Sequence, residues 1–367
     1  KLRIGRFTVL AGPNNTGKSF VSKILYSLFD AMNANLAEAA LQKLTDRVRR
    51  EHDRLRSALS EKVRTNPPYT DMEETIRKME DLAAEQSSDD FEEIDRFIAN
   101  ISNMAKKFPE LLRKIRSSAA KQQPRIAGSL LKDFEDTLNC MQEFFDGMTA
   151  EKFTRASIDL MIEENLTKNF QIVKSTRLRG DKEGESKFSI PETIEFNSAS
   201  SDCIFATRPF DFQKLKRYSK VIYLESPMLW KLQKASEALR LSDQHWRTRR
   251  EQLDGMPKYF YDLASALGEY TDEIDFSDIL GTLALLIERK ILNKDSFVFM
   301  DEPEANLNRA EQVDMAKTLF ELAKGGTHVV VATHSADILK WLEVQKEHPK
   351  YADLVALNKF SPRYGGI

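Results

Sequence analysis

Apolar positions fall into three patterns along this 367-residue chain. The first is the short unbroken run. Phe7-Thr8-Val9-Leu10-Ala11 is such a run, and it stops at Gly12. A run of this length suits a strand buried on both faces of a parallel sheet. Ser296-Phe-Val-Phe-Met300 and His328-Val-Val-Val-Ala332 read the same way. So do Lys220-Val-Ile-Tyr-Leu224, stopped by Ser226-Pro227, and a last strand, Leu354-Val-Ala-Leu-Asn358. The second pattern has the helical period. After Ser19, Val21, Ile24, Leu25 and Leu28 recur at that spacing. From about 31 to 170 the chain reads as helix nearly throughout. Leu41, Leu44, Val48, Leu55, Leu59 and Val63 form one stripe among charged residues. Pro67-Pro68 is expected to end that helix, and a second helix is expected over 71–85. Ser87-Ser88-Asp89-Asp90 offers N-caps for a third, which carries Phe91, Ile94, Phe97, Ile98 and Ile101. Pro109 and Pro124 predict further breaks, and Leu130, Leu131, Phe134, Leu138, Met141 and Phe144 mark another helix. The heptad repeat is not sustained enough for a long coiled coil.

The third pattern is short strands between turn residues. It covers Gln171-Ile-Val-Lys, Phe188-Ser-Ile, Thr193-Ile-Glu-Phe and Asp202-Cys-Ile-Phe-Ala, with Gly180, Gly184 and Pro191 as turns. Helix returns over 228–268, 284–291 and 309–324, and Lys324-Gly325-Gly326 stops the last of these. The whole predicts an α/β protein in two parts. Residues 1–30 and 171–367 are expected to form a mixed sheet flanked by helices. Residues 31–170 are expected to form a large α-helical insertion or short arm. That insertion has two readings: a helical subdomain packed on the α/β part, or an arm that contacts a partner or DNA.

Composition narrows the class. The chain is 41% hydrophobic and 31% charged, as a globular protein is, and its formal net charge of −2 makes no global demand for nucleic acid or an anionic membrane. No apolar run approaches the roughly 18 residues of a membrane span, and no signal peptide is visible. Cys140 and Cys203 fit no metal or redox spacing and are expected to be reduced thiols of a cytoplasmic protein. The first residue is Lys1 rather than Met and a strand opens almost at once, so residues are expected before Lys1.

Three constellations carry chemistry. Gly12-Pro13-Asn14-Asn15-Thr16-Gly17-Lys18-Ser19 meets the phosphate-loop pattern in full, between a strand and a helix that begins with Phe20. Its backbone N–H groups and the following helix N-terminus suit nucleotide phosphates. Lys18 supplies a positive charge for the β- and γ-phosphates, and the Ser19 hydroxyl can ligate Mg²⁺. Residues 12–20 are therefore the candidate ATP site, with ATP and Mg²⁺ as expected ligands. The second is the apolar strand ending in Asp301-Glu302-Pro303. Asp301 is a candidate Mg²⁺ ligand with Ser19, and Glu302 a candidate general base that polarises the attacking water. The third is His334, delivered at the end of another buried strand, where ligands of open α/β sheets bind. A lone His is more often structural; one in this place can hydrogen-bond the γ-phosphate.

In order and spacing these motifs resemble the ABC-class P-loop ATPases, and the SMC/RecF/OLD-like branch in particular. Asp301-Glu-Pro-Glu-Ala-Asn-Leu-Asn308 is similar to the Asp-Glu-Pro-Glu-Ala-Asn-Leu-His run of ATPases in bacterial anti-phage and DNA-processing systems. The resemblance covers about 1–30 and 185–367. It implies a two-lobed ATPase head, and a head-to-tail dimer of heads with two ATPs between them. Glu302 would be the catalytic base, His334 the switch histidine, and Ala305-Asn306-Leu307-Asn308 the loop crossing the dimer interface. Two features depart from it. A Ser-Gly signature should open a helix before Leu280-Gly281-Thr282-Leu283, where the chain has Asp275-Phe-Ser-Asp-Ile-Leu. Residues are therefore expected to be absent near 275–281; a chain that naturally lacks them would not complete the ATP site across a dimer. Neither Gln171 nor Gln213 has the context of the glutamine loop of this class. About 33 residues follow His334, too few for the Toprim-type nuclease domain of OLD-like nucleases. The expected role is a sensor or motor ATPase of a bacterial defence system that controls a separate effector, a nuclease or toxin. Competing readings are a DNA-repair ATPase touching DNA through Lys214, Lys216, Arg217, Arg247, Arg249 and Arg250, a transporter subunit, and a scaffold that binds ATP without turnover.

Overall fold

The computed structural model describes residues 2–33, 36–85, 90–120, 126–170, 187–190, 194–197, 204–207, 220–225, 257–267, 279–305 and 307–361. The chain divides into two compact units, Lys1–Asn33 with Ile162–Ile367, and Ala34–Met161. In chain order, β1 (Phe7–Ala11) and α1 (Lys18–Asn33) open the α/β unit. The helical unit follows with α2 (Leu36–Ala58), α3 (Glu61–Arg64), α4 (Pro67–Glu85), α5 (Phe91–Ala105), α6 (Phe108–Ala120) and α7 (Ile126–Phe145). Helix α8 (Ala150–Phe170) runs from it into the α/β unit. There follow β2 (Lys187–Ile190), β3 (Ile194–Asn197), β4 (Ile204–Thr207), β5 (Val221–Glu225), α9 (Lys258–Leu267) and α10 (Ile279–Glu288). The chain ends with β6 (Phe297–Asp301), α11 (Arg309–Lys324), β7 (His328–Thr333), α12 (Ala336–Glu347) and β8 (Val355–Lys359).

The main sheet has the order β5-β6-β7-β1-β8, and every neighbouring pair is parallel. Its central strands β1 and β6 are buried at every position, and β7 at all but His328. That is why they read as unbroken apolar runs. The sheet is flanked by helices, as expected, but among the described residues all its strands are parallel rather than mixed. Strands β2, β3 and β4 pair antiparallel in a separate three-stranded sheet. The connections decide this. Only three residues separate β2 from β3, a hairpin length, whereas parallel neighbours need a longer crossover. Helix α1 lies on the main sheet through Ile24, Leu25 and Leu28. Phe29 stacks on Phe297 at 4.4 Å, and Tyr26 meets Tyr223 and Phe299 edge-on. Such pairs add about 1 kcal/mol each beyond the area they bury.

The helical unit has its own core, which includes Val48, Phe97, Phe134, Phe145 and Phe153. The Leu41–Val63 stripe is not one helix. It breaks at Leu59-Ser60, and the extended backbone of Ser60 starts α3. Pro67-Pro68 opens α4 instead of only closing its predecessor, and Pro109 sits at the second position of α6. Proline fits there because the first-turn N–H groups have no helical partner to lose. The predicted cap at Asp90 is formed, its carboxylate accepting the Glu92 N–H. Among the described residues no helix is long and apolar enough to cross a membrane.

Candidate active site

Because the main sheet is parallel, the C-terminal ends of its strands lie along one edge. The register there runs Lys359–Ala11–Thr333 across β8, β1 and β7, and Ala332–Asp301–Glu225 across β7, β6 and β5. The loop after β1, the acids after β6 and the histidine after β7 therefore emerge side by side.

The loop after β1 is shaped by its glycines. A Cβ on Gly12 would lie 2.4 Å from the Phe360 carbonyl oxygen, because Phe360 follows β8 and its N–H donates to the Ala11 carbonyl at 2.7 Å. Gly17 has φ +89° and Asn15 φ +63°. Left-handed backbone of this kind turns successive N–H groups into an anion-binding concavity. The Pro13 carbonyl accepts from the Thr16 hydroxyl at 2.8 Å and from the buried Lys18 ammonium at 2.7 Å. Pro13, Asn14 and Asn15 are exposed, and Phe20 is half-buried at the start of α1.

Ser19 reaches from α1 to the acids. Its hydroxyl donates to Asp301 Oδ1 at 2.8 Å, while the Tyr223 hydroxyl donates to Oδ2 at 3.2 Å. Tyr223 can do so because β5 pairs with β6 and side chains two residues apart share a face. Burial pushes the Asp301 carboxyl above the usual range, against the pull of the Ser19 hydroxyl, the Lys23 charge and Tyr223. Burial, and then the charge of Asp301, hold the Tyr223 phenol well above its ordinary value. On the same edge, burial and then Glu225 raise Tyr259.

Glu302 has φ +51°, a conformation that non-glycine residues rarely adopt. Its N–H donates to the Ala332 carbonyl at 2.9 Å, tying it to β7. Its side chain and that of His334 are both 44% exposed, and His334 Nδ1 lies 3.8 Å from Glu302 Oε1. A second carboxylate comes closer. Glu304 Oε1 is 3.2 Å from His334 Nδ1, and Glu304 is buried. It also accepts from the Thr333 hydroxyl and the His334 and Ser335 N–H groups.

The sequence reading missed Tyr223, Glu225 and the separate part of Glu304. Glu304 carries a weak signal, an acid three residues past Asp301 in a turn; the other two carry none without strand order. Asn306, Gln171, Gln213, Cys203, the basic residues 214–250 and positions 275–278 lie outside the described residues. Among the described residues no three His, Cys, Asp or Glu side chains converge on a metal position. The oxygens that fit a hard cation are the adjacent Ser19 hydroxyl and Asp301 carboxylate. Cys140 is a free, exposed thiol. In the helical unit, a groove of about 510 Å³ between α2 and α4 is lined by Arg49, His52, Arg56, Glu73 and Glu80. Ion pairs cross it, Arg49 to Glu80 and Arg56 to Glu73, each at 3.7 Å. Neither a protein-family model nor a curated protein matches the chain.

Proposed function

We propose that the α/β unit is a Mg²⁺-dependent ATPase. The observation that carries this reading is the 2.8 Å contact between Ser19 Oγ and Asp301 Oδ1. It joins two residues 282 positions apart at the point where a phosphate loop and an acidic strand end must meet. Ser19 and Asp301 would hold Mg²⁺, which neutralises phosphate charge when bound. The backbone N–H groups of residues 14–19 and the Lys18 ammonium bind the phosphates. Glu302, exposed beside this pair, orients and polarises the attacking water. His334 meets the terminal phosphate from the neighbouring strand.

The finer reading rests on the wording of residues 301–308 and on motif order: an ABC-class head of the SMC/RecF/OLD-like branch, pairing head to tail around ATP. In that reading the protein is the sensor or motor of a bacterial defence system and controls a separate nuclease or toxin. The open reading frame beside its gene tests the defence role, and adjacent membrane spans would count against it. The activity itself is tested by phosphate release from ATP with Mg²⁺ and with EDTA. Mg²⁺-dependent release is expected. Absence of Mg²⁺-dependent release would remove the proposal.

Tyr223→Phe keeps the packed ring and deletes only the hydroxyl on Asp301 Oδ2. The Mg²⁺ concentration that half-saturates binding of a fluorescent ATP analogue is expected to rise about 10-fold, the scale for groups that orient a metal ligand. An unchanged Mg²⁺ titration would leave Tyr223 with a packing role alone.

A further inference from the structure

Glu304 is a buried carboxylic residue in the turn after β6. Its side chain is 3% exposed. One carboxylate oxygen, Oε1, takes three donors: the Thr333 hydroxyl at 2.7 Å, the His334 N–H at 2.8 Å and the Ser335 N–H at 3.2 Å. The other oxygen, Oε2, is buried with no hydrogen-bond partner. A buried charge left half-satisfied is costly, and a hydrophobic or amide side chain would fill a turn at lower cost. The carboxylate does have one more neighbour, the His334 ring, whose Nδ1 lies 3.2 Å from Oε1.

The contacts extend to the next turn of chain. Ser335 donates its hydroxyl to Gln312 Oε1 at 2.7 Å, and Gln312 Nε2 donates to the Leu307 carbonyl at 2.9 Å. The Leu307 N–H in turn donates to the Glu304 carbonyl at 3.0 Å. Glu304, Leu307, Gln312 and Ser335 are thus closed into one hydrogen-bonded ring, to which the Glu304 carboxylate also joins Thr333 and His334. Three successive residues of the histidine loop, Thr333 by its hydroxyl and His334 and Ser335 by their backbone N–H groups, are held by a single side chain from the acidic loop.

We propose that Glu304 is the positioning residue for His334. It fixes the loop that carries the histidine and holds a proton on Nδ1, which leaves Nε2 as the ring nitrogen that meets a ligand. A carboxylate or carbonyl on one ring nitrogen sets the role of the other in many working histidines. Glu304 itself touches no substrate and acts through His334. This inference rests on the reading of His334 as a phosphate-facing group.

Two measurements test it. In the folded wild-type chain, labelled with ¹⁵N-histidine and assigned with His334→Ala, the Nδ1 of His334 is expected to carry a proton without any nucleotide present. A neutral ring protonated only at Nε2 overturns the proposal. This arm requires no ATPase activity and no folding of a Glu304 variant. The second arm compares turnover of Glu304→Gln, His334→Ala and the double variant. Glu304→Gln is expected to lower kcat by about 10- to 100-fold, with Mg²⁺–ATP binding within about 2-fold of wild type, and the double variant is expected to be no slower than His334→Ala, as for residues that act as a unit. Full turnover in Glu304→Gln, or losses that multiply in the double variant, overturns the proposal. A wild-type chain that hydrolyses no ATP removes the proposed function, while the ring measurement still decides whether Glu304 holds Nδ1.

Discussion

Glu302→Gln is expected to lower ATP turnover by about 100-fold or more, the scale of a lost general base, and to leave ATP binding intact. The substitution keeps the shape of the side chain and the backbone bond to Ala332, whose donor is the residue 302 N–H. It removes only the charge that can polarise water. The side chain is 44% exposed, so the amide meets solvent and leaves no buried group unpaired. Folding should therefore be unaffected, and a fluorescent ATP analogue should bind with Mg²⁺ as it does to wild type. Unchanged phosphate release would remove Glu302 from the reaction. The same variant tests the proposed dimer: slow turnover should trap the ATP-bound form, and size measurement with ATP should then give a larger species than without. A monomer under both conditions argues against the head-to-tail pair.

Lys18→Ala is expected to weaken nucleotide binding itself, by about 10- to 100-fold on the scale of a hydrogen bond to a charged group. Here the effect falls on affinity, whereas Glu302→Gln falls on turnover, and that contrast separates the two roles. Lys18 is buried, and its ammonium donates to the Pro13 carbonyl at 2.7 Å. Removing it takes one donor from Pro13, but Thr16 still donates there at 2.8 Å, so the loop keeps one of its two cross-ties. Circular dichroism should match wild type. Titration with the same ATP analogue reads the affinity, and wild-type affinity would contradict the role given to Lys18.

Much of the α/β unit was legible because each of its core strands is buried on both faces. Such a strand must be apolar nearly throughout, so Phe7–Ala11 and Phe297–Met300 announce themselves. The helical unit was legible in outline through its period. The breaks near Pro67 and Asp90 were legible, but the one at Leu59-Ser60 was not, and the helix expected from 71 starts at Pro67, because proline closes one helix and opens the next with the same chemistry. The twelve-residue helix after Ser335 was not anticipated; its buried residues Ile338 and Leu342 are too few to announce a helical stripe.

The candidate site divides along the same line. Residues 12–19, Asp301-Glu302 and His334 could be named from the chain alone, because phosphate, metal and water each demand certain groups at certain local spacings. Their meeting could not. It depends on β7 lying between β1 and β6, and on a register that sets Ala11 beside Thr333 and Ala332 beside Asp301. Tyr223 and Glu304 became visible only with that order. A tyrosine on a strand and a glutamate in a turn look ordinary in a sequence. The neighbouring strand brings one to Asp301 Oδ2 and the other to the Thr333 hydroxyl and the backbone of 334–335. Short-range chemistry is written in consecutive residues, whereas burial and partner choice arise from segments that are 29 to 282 positions apart in the chain and adjacent in the fold.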